Sequence, residues 1–575
     1  MKKEFSLSNG KAMINFTAKY CNTEECLLDS KGFEIILSEY LEDRKSNKSN
    51  IYKYINKSLN QDEICLELIK IFKFLIVLKA DEIIKIDLRY KKLLEDKDKF
   101  IGFVEDLYNF WRKLERYTIV ENKKTGEGLQ NVNFIDANNE FSKLILDVYR
   151  KVEENVLGVK PSIYRQLPAG GNAGLILNQT NFVYGKGYEC LCKIPFIQSI
   201  VLDTPFITYP KKNTRDGIFN ESFENPLKDC SINTDHWFCY PAKVGTLLAY
   251  IYFHRDFMAH GVTLCNLFEM AKEEEYKDKK PDIIYVFGAK DEQKQMKTVF
   301  YDDVENDIMT GYINYHDDMD YFGYMKKMTL TLHNLIMIKR GNLPVHGAMV
   351  NIITKDDKTF NIVIMGDSGA GKSESLEALR SLGSEYISDM TIIFDDMGVV
   401  KLNGEGKPLG YGTEIGAFVR LDDLDTGYAF KQLDRSIFMN PDKINARLVM
   451  PVASYNEITK GEAIDLFLYA NNYEDGEALE FFTNEEEAIK VFKEGTRMAK
   501  GTTTEKGLVT SYFSNPFGPV QKQQEMDELI PIFFKEFFNK GIRVGQLRTK
   551  LGMHGNEKKG PREASLRLLE EIKRL

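Results

Sequence analysis

The apolar positions along the 575-residue chain follow two different periods. In residues 61–120 they recur every three or four positions between Lys, Glu and Asp, as in amphipathic helices. After a glycine-rich turn, PAGGNAG at 168–174, they form shorter runs such as LILNQTNFVY and PDIIYVFGAK, which are typical of strands. From Tyr321 the pattern predicts a helix, two strands joined by a polar turn, a glycine loop and a second helix. The sequence thus predicts an α/β fold.

The length predicts more than one compact unit, because domains usually contain roughly 100 to 200 residues. We predict three regions. Residues 1–155 form a mostly helical N-terminal region after a short strand-like opening, and they carry no recognisable catalytic motif. Residues 156–320 form an α/β region, and residues 321–575 form a region that contains the glycine loop.

The composition favours a soluble globular protein whose partners are neither nucleic acid nor membrane. Apolar residues make up 43% and charged residues 28% of the chain, and the formal net charge is −9. The N-terminus lacks the apolar run of a secretory signal, and the most apolar stretch, at 71–80, is interrupted by Lys73 and Lys79. The eight cysteines show no zinc-finger spacing, which favours reduced thiols. We therefore expect a cytoplasmic protein.

The strongest local motif is GDSGAGKS at 366–373, which fits the phosphate-loop pattern GxxxxGK[ST]. It follows the strand-like FNIVIM and precedes the helical SESLEALRSL, as the motif requires. Glycines in this pattern let backbone N–H groups point at phosphate oxygens, the lysine neutralises phosphate charge, and the serine hydroxyl suits Mg²⁺. We expect the nucleotide-binding loop to comprise Gly366, Asp367, Ser368, Gly369, Ala370, Gly371, Lys372, Ser373 and Glu374.

A site for a metal and a nucleotide also needs a carboxylate on a neighbouring strand. Asp389, in EYISDMTIIF, lies 17 residues after Lys372 at the end of a strand-like run, and we predict it as the metal carboxylate. Asp396, in IFDDMG, is interpreted as a turn or cap residue. Taken alone, the Lys326–Lys327 pair indicates a solvated helix face, and His346 in LPVHGAMV indicates a core histidine.

Taken together, these segments resemble the ATP-dependent phosphoenolpyruvate carboxykinase family. YFGYMKK at 321–327, LPVHGAMVNI, the glycine loop and the acidic strand occur in the order in which that family's active site is written. The resemblance implies that Tyr321 contacts substrate and that Lys326 belongs to the catalytic group. It further implies that Lys327, His346 and Asp389 bind Mn²⁺, for which Lys327 needs a depressed pKa.

Further agreements extend the resemblance over about residues 240–575. KPDIIYVFGAKD at 280–291 is similar to a family strand, and TEIGAFVR and NARLVMP are similar to segments whose basic residues contact nucleotide and phosphoryl group, here Arg420 and Arg447. KGTTTEKG and SYFSNPFGP, at 500–519, match two further stretches. KKGPREASLRLLEEI resembles the adenine-binding end, which implies Lys559 and Ser565 near the base.

The resemblance implies an N-terminal α/β domain and a P-loop mononucleotide-binding domain flanking a cleft, here with an extra, mostly helical N-terminal region. It implies the conversion of ATP and oxaloacetate to ADP, phosphoenolpyruvate and CO₂, a gluconeogenic kinase and lyase reaction with Mg²⁺ and Mn²⁺. That reaction passes through an enolate, which the cations and metals of the site would stabilise. The helical residues 1–155 match nothing in that family, and we interpret them as a regulatory or partner-binding addition.

Two departures from the family pattern leave other functions open. The family's Gly-Arg-Ser-Pro-Lys-Asp segment, whose arginine binds a substrate carboxylate, is absent, and Arg165 is a substitute by position only. The loop GDSGAGKSES also resembles HPr kinase/phosphorylase. The alternatives are therefore a kinase of the same fold acting on another small acid or on a protein serine, and a protein that senses ATP without turnover.

Overall fold

The computed structural model divides the chain into two compact units, Met1–Gln179 with Pro195–Phe206 (unit 1) and Thr180–Ile194 with Ile207–Leu575 (unit 2). The sequence predicted three regions, and its boundary at residue 320 falls inside unit 2. The structure describes residues 3–59, 64–121, 131–160, 169–179, 185–228, 230, 232–290, 295–383, 385–421, 433–499 and 506–574. Arg165 and residues 500–505 lie outside these ranges.

Unit 1 combines helices with a short mixed sheet. Its strands pair in the order β1 (Phe5–Ser8), β2 (Lys11–Asn15), β3 (Glu115–Glu121), β4 (Ala173–Asn178) and β5 (Phe196–Leu202), with β2, β3 and β4 parallel. Its helices are α1 (Glu24–Leu28), α2 (Lys31–Ser46), α3 (Asn50–Ser58), α4 (Ile64–Leu75), α5 (Ala80–Ile86), α6 (Lys91–Leu94), α7 (Lys97–Lys113) and α8 (Asn131–Leu157).

The amphipathic pattern of residues 61–120 is confirmed except at its end. The helices bury their apolar faces around Leu37, Leu68 and Phe103. The last residues instead form β3, where the aromatic and β-branched run from Tyr117 onwards favours a strand. The buried Arg116 guanidinium donates to carbonyls at the end of α7, the Arg112 O at 2.7 Å among them, and so holds the chain where the helix stops.

The first part of unit 2 contains a sheet with the order β8-β9-β11-β13-β12-β7, and β10 lies beside β8. The long helix of this part is apolar on nearly every side and is almost wholly buried. Its strands and helices are β6 (Phe206–Thr208), β7 (Asn220–Glu221), β8 (Trp237–Val244), β9 (Leu247–His254), α9 (Met258–Thr263), β10 (Glu269–Met270), α10 (Glu273–Tyr276), β11 (Ile283–Ala289), β12 (Thr298–Asp303), β13 (Ile308–Asn314) and α11 (Phe322–Lys339).

The remainder of unit 2 contains a second large sheet, of order β21-β17-β16-β14-β15-β22-β26-β23, and a small one in which β20 lies between β18 and β19. Its strands are β14 (Leu343–Thr354), β15 (Thr359–Met365), β16 (Ile387–Leu402), β17 (Pro408–Gly412), β18 (Gly416–Arg420), β19 (Ile437–Met439), β20 (Arg447–Pro451), β21 (Glu462–Ala463), β22 (Leu466–Asn471), β23 (Leu479–Phe481), β24 (Thr496–Met498), β25 (Leu508–Thr510) and β26 (Arg543–Arg548). Its helices are α12 (Lys372–Leu382), α13 (Tyr455–Thr459), α14 (Glu485–Glu494), α15 (Gln523–Asn539) and α16 (Lys559–Arg574).

The second sheet of unit 2 is buried on both faces. Neighbouring residues of β22 point to opposite sides, so that Phe467 packs with Phe534 of α15 while Leu468 packs with Leu379 of α12 and Leu568 of α16. The predicted hairpin of β14 and β15 is confirmed, and β15 continues into parallel neighbours β22 and β26. The protein is therefore α/β, and the glycine loop emerges from the centre of this sheet.

Candidate active site

The glycine loop connects β15 to α12, as the sequence predicted. Gly369 and Gly371 have φ of 79° and 93°, and a Cβ on Gly371 would lie 2.5 Å from the Thr549 Oγ1. Three hydrogen bonds hold the loop: Thr549 Oγ1 donates to the Ala370 O (2.7 Å), Asn472 Nδ2 to the Gly369 O (2.9 Å) and Lys372 Nζ to the Asp367 O (3.1 Å). Backbone and lysine thus adopt the arrangement that suits a phosphate group.

The first turn of α12 is open on one side. Lys372 is buried, whereas Ser373 and Glu374 are exposed, as is Ser368 at the tip of the loop. The hydroxyl and the helix N-terminus are therefore accessible to an anion and its metal.

A second cluster forms around the carboxylate of Asp396 in β16. Its Oδ2 lies 2.7 Å from the Nζ of Lys326 and 2.6 Å from the Nζ of Lys327, both on α11. Its Oδ1 lies 3.0 Å from the Nε2 of His346 on β14. We call these four residues the Asp396 cluster. Asp396 has φ of 134°, a strained value for a residue with a side chain and one that is common at functional sites.

The strand register explains why Asp396, and not Asp389, joins this cluster. β14 and β16 are antiparallel, with Asp396 opposite Gly347, next to His346, and Asp389 opposite Ile353. Asp389 is exposed and lies seven residues along the strand, which is about 23 Å. The structure therefore does not bring Asp389 to Lys327 and His346, and its role as a metal carboxylate stays a prediction. The interpretation of Asp396 as a turn or cap residue is wrong, because it lies within β16.

The hydrogen bonds of His346 determine which of its nitrogens faces the cluster. Nδ1 lies 2.7 Å from the backbone O of Ser514, and because a carbonyl only accepts, Nδ1 carries a proton. Nε2 then points at the Asp396 carboxylate. Because an ionised carboxylate oxygen also only accepts, this 3.0 Å contact requires a proton on Nε2 as well, and Nε2 offers a lone pair to a metal only after losing that proton.

The two adjacent lysines differ in their surroundings. Lys326 is only 1% exposed, and its Nζ lies 3.0 Å from a carboxylate oxygen of Glu414 as well as near Asp396. Burial lowers the pKa of Lys326, but these two carboxylates outweigh it and the pKa is raised. The pKa of Lys327 is lowered, as predicted, by burial and by the charge of Lys326, against the attraction of Asp396.

The carboxyl groups of the site differ in the direction of their pKa shifts. Burial raises the pKa of Glu414 to about 7, and burial with the charge of Asp396 raises that of Asp395. Burial opposes ionisation of Asp367 and Asp396 as well, yet their pKa values are lowered by the cations beside them. For Asp367 these include Arg497, whose Nη2 lies 3.0 Å from the carboxylate. The site therefore combines fixed negative charges with protonatable carboxyls.

Aromatic rings border the cluster on the side of β18 and β20. The guanidinium of Arg447 and the ammonium of Lys326 lie 5.4 Å and 5.7 Å from the centre of the Phe418 ring. The ring of Tyr321 is 6.0 Å from that of Phe418. Burial raises the pKa of Tyr321, and Arg447 opposes this. Arg420 is opposite Arg447 in the β18–β20 pair. Tyr321, Lys326 and Arg447 are therefore brought together.

The predicted adenine-binding residues have other roles in the structure. Lys559 is exposed and forms an ion pair with Glu563 at 3.4 Å. The Oγ of Ser565 is buried and lies 2.7 Å from the Ser375 O and 2.6 Å from the Pro561 O, which joins α16 to α12. The prediction that these two residues lie near a base stays a prediction, although the Ser565 hydroxyl is engaged within the protein.

Two charged residues of the site were missed by the sequence analysis. Glu414 lies in the segment TEIGAFVR. Its proximity to the lysines depends on how the strands pair, so no pattern in the sequence around Glu414 indicates it. The half-buried Arg215 guanidinium lies 5.2 Å from the rings of Phe219 and Phe517. Burial lowers the pKa of Arg215, and the nearby Tyr324, Tyr321, Asp216 and Asp367 partly oppose this shift. The polar run that precedes Arg215 reads as an ordinary loop.

Comparison with known proteins adds no assignment. No protein-family model matches the chain, and no curated protein matches it significantly. In the described ranges no three His, Cys, Asp or Glu residues form a group suited to a metal ion. Among the described helices, none combines the length and apolarity needed to span a bilayer.

Proposed function

We propose that the protein is a nucleotide-dependent phosphoryl-transfer enzyme of the carboxykinase type, which converts ATP and oxaloacetate to ADP, phosphoenolpyruvate and CO₂. The observation that carries the proposal is the Asp396 cluster. A protein that only binds a nucleotide needs the glycine loop but has no use for a buried lysine and histidine directed at one carboxylate. A reaction that generates an enolate does need such a concentration of charge.

The donor groups of the cluster suit a divalent cation such as Mn²⁺. The amine of Lys327 has a lowered pKa, Nε2 of His346 would supply a lone pair on losing its proton, and Asp396 would supply a carboxylate oxygen. These three residues would hold the ion, and Ser373 would hold Mg²⁺ with the nucleotide. When bound, the cations would stabilise negative charge on the enolate and the phosphates.

The protein's own groups would bind and orient the reactants. The loop N–H groups and Lys372 would hold the nucleotide phosphates, and Arg447 would neutralise charge on the group in transfer. Lys326, which keeps its proton because two carboxylates adjoin it, would provide a permanent positive charge. The rings of Tyr321, Phe418 and Phe517 would exclude water and so strengthen these interactions.

Arg215 would bind the carboxylate of the small acid, in place of the arginine that the sequence lacks. Among the described residues it makes no ion pair within 4 Å; its guanidinium lies beside aromatic rings, donates to the backbone O of Gly217 and feels the charges of Asp216 and Asp367. A guanidinium with this surrounding retains donors for a planar carboxylate. Arg215→Lys should therefore raise the KM for oxaloacetate more than it lowers kcat.

The direct test is to incubate the purified protein with Mn²⁺, Mg²⁺ and ATP, with and without oxaloacetate, and to follow ADP, phosphoenolpyruvate and CO₂ together. We expect equal amounts of the three products, their loss in Lys372→Ala and their retention in Lys358→Ala, which removes an exposed lysine. Absence of phosphoenolpyruvate above the Lys372→Ala background would refute the proposal. ADP that depends on a different acceptor would instead assign a kinase, and ATP binding without ADP would assign a sensor.

A further inference from the structure

Unit 1 contains an apolar cavity of about 140 Å³. It lies among β1, β2 and the helices α2, α4, α7 and α8. Phe5, Ile14, Ile36, Phe72, Leu107 and Val148 form much of its wall. Protein interiors are normally packed without voids of this size, so an empty cavity here loses packing contacts that a ligand would restore.

The polar atoms along the wall are engaged within the protein. Ser30 Oγ donates to the Leu27 O at 2.7 Å, Trp111 Nε1 donates to the Ala169 O at 2.8 Å, and Cys21 Sγ donates to the Cys26 O at 3.5 Å. Water needs two or more polar partners, and the cavity offers it little beyond carbon. An engineered apolar cavity of about 150 Å³ in another protein stays dry and binds benzene. The enclosed part of a ligand should therefore be apolar and contain about six carbon atoms.

Two charged side chains, Glu4 and Lys19, line the cavity. The Oε1 of Glu4 accepts from the backbone N of Lys31 at 3.0 Å. Lys19 makes no ion pair with any residue that the structure describes. Burial raises the pKa of the Cys21 thiol, in the cavity wall, to about 12, and the positive charge of Lys19 opposes that rise. The Lys19 ammonium is therefore close enough to the wall to influence it. The charge of Glu4 acts on the same thiol in the opposite sense, so one charge of each sign stands beside the apolar cavity.

We propose that this cavity binds a small monocarboxylic acid, with its apolar body of about six carbon atoms inside and its carboxylate against Lys19. The proposal concerns unit 1 alone and does not depend on the reaction proposed for unit 2. It commits to an anion because, within the described residues, Lys19 makes no ion pair whereas Glu4 accepts from the Lys31 N, and to a hydrocarbon body because the remaining lining is mostly apolar.

The fluorescence of Trp111 allows a direct test in the full chain. The chain has two tryptophans, so Trp237→Phe leaves Trp111, in the cavity wall, as the reporter. Titration with hexanoate should change its emission in a saturable way and raise the melting temperature. Lys19→Met should weaken hexanoate binding about tenfold, the effect of losing one charge-assisted contact, and leave 1-hexanol binding unchanged. Lys143→Met, which removes an exposed lysine of α8, should change neither.

Substitutions that fill the cavity provide the decisive test. Val148→Phe should abolish binding of both probes while the far-UV circular dichroism is retained, and Ile145→Phe serves the same purpose should that variant misfold. The proposal is overturned if neither hexanoate nor 1-hexanol gives a saturable change. It is equally overturned if the filled variants bind as well as the parent, or if Lys143→Met weakens hexanoate as much as Lys19→Met does.

Discussion

Replacing Asp396 with asparagine tests whether that carboxylate holds the candidate active site together. The substitution keeps the size of the side chain and removes its charge. Two ammonium groups lie within 2.7 Å of the carboxylate, together with the Nε2 of His346 at 3.0 Å. We expect unit 2 to be destabilised because these groups would stay buried after the negative charge is lost.

The expected loss of stability depends on the partners that each lysine keeps after the substitution. Lys326 keeps Glu414 at 3.0 Å, so its charge remains compensated. Lys327 keeps the face of the Phe517 ring, whose centre is 4.5 Å from its Nζ, and the more distant charge of Glu414, and its side chain is 16% exposed. Removing one partner of a buried ion pair costs about 3 to 5 kcal/mol. Because Lys327 can release its proton and both side chains of the pair are partly exposed, at 16% and 19%, we expect a loss near the lower limit, about 3 kcal/mol.

Asp389→Asn is the matched control, since it makes the same chemical change on the same strand. Asp389 is exposed, and its carboxylate accepts from the neighbouring Met390 N at 2.9 Å. Its replacement should change stability by no more than about 0.5 kcal/mol. Both variants are made with Trp111→Phe, so that the buried Trp237 of unit 2 reports urea-induced unfolding of that unit.

Equal destabilisation by the two asparagine substitutions would refute the reasoning. It would mean that the cations near Asp396 are not held by its charge. A loss confined to Asp396→Asn, with a parallel loss of Mn²⁺-dependent turnover, is the expected result.

Two further predictions concern acid sensitivity and the glycine loop. Burial lowers the pKa of His333 to about 4, below its ordinary value of about 6.5, so the unfolded chain binds the extra proton and stability falls as pH drops from 6.5 towards 4. His333→Gln should remove up to about 3 kcal/mol of this pH dependence, measured by urea unfolding at pH 7 and pH 4.5, and an unchanged dependence would contradict the assignment. Gly371→Ala should cost about 1 to 2 kcal/mol and abolish ATP binding, measured by calorimetry, because the residue has φ of 93° and no room for a Cβ beside Thr549. Gly404→Ala, at an open position with ordinary φ, is its control.

The elements that could be predicted from sequence are those whose pattern is local. The strand, loop and helix around Lys372 could be predicted from the local sequence, because the glycine motif and the apolar runs on either side of it determine them. β3 was missed because the helical period of the preceding residues continues almost to Leu114. The start of the strand depends on contacts with residues distant in sequence: Glu115 pairs with Lys11 of β2, and Arg116 donates to the Gly170 O.

The position of the carboxylate in the candidate site could not be predicted in the same way. Counting from the loop lysine gave Asp389, because one helix and one turn after Lys372 bring the chain to the start of β16. β16 is 16 residues long, and its pairing with β14 brings Asp396 to His346. Strand length and register are properties of the assembled sheet, and a shift of a few residues along a strand moves a side chain by many ångströms.

The same reasoning explains how two adjacent, identical residues acquire different roles. Lys326 and Lys327 share α11 and share Asp396, so nothing in their own sequence separates them. Glu414 does separate them, because it lies against Lys326 and has no ion pair with Lys327 in the described part of the chain. The additional carboxylate raises the pKa of Lys326, whereas burial beside that fixed charge lowers the pKa of Lys327. One lysine is thereby suited to be a permanent cation and the other to be a free amine, and this difference depends on a residue nearly ninety positions away.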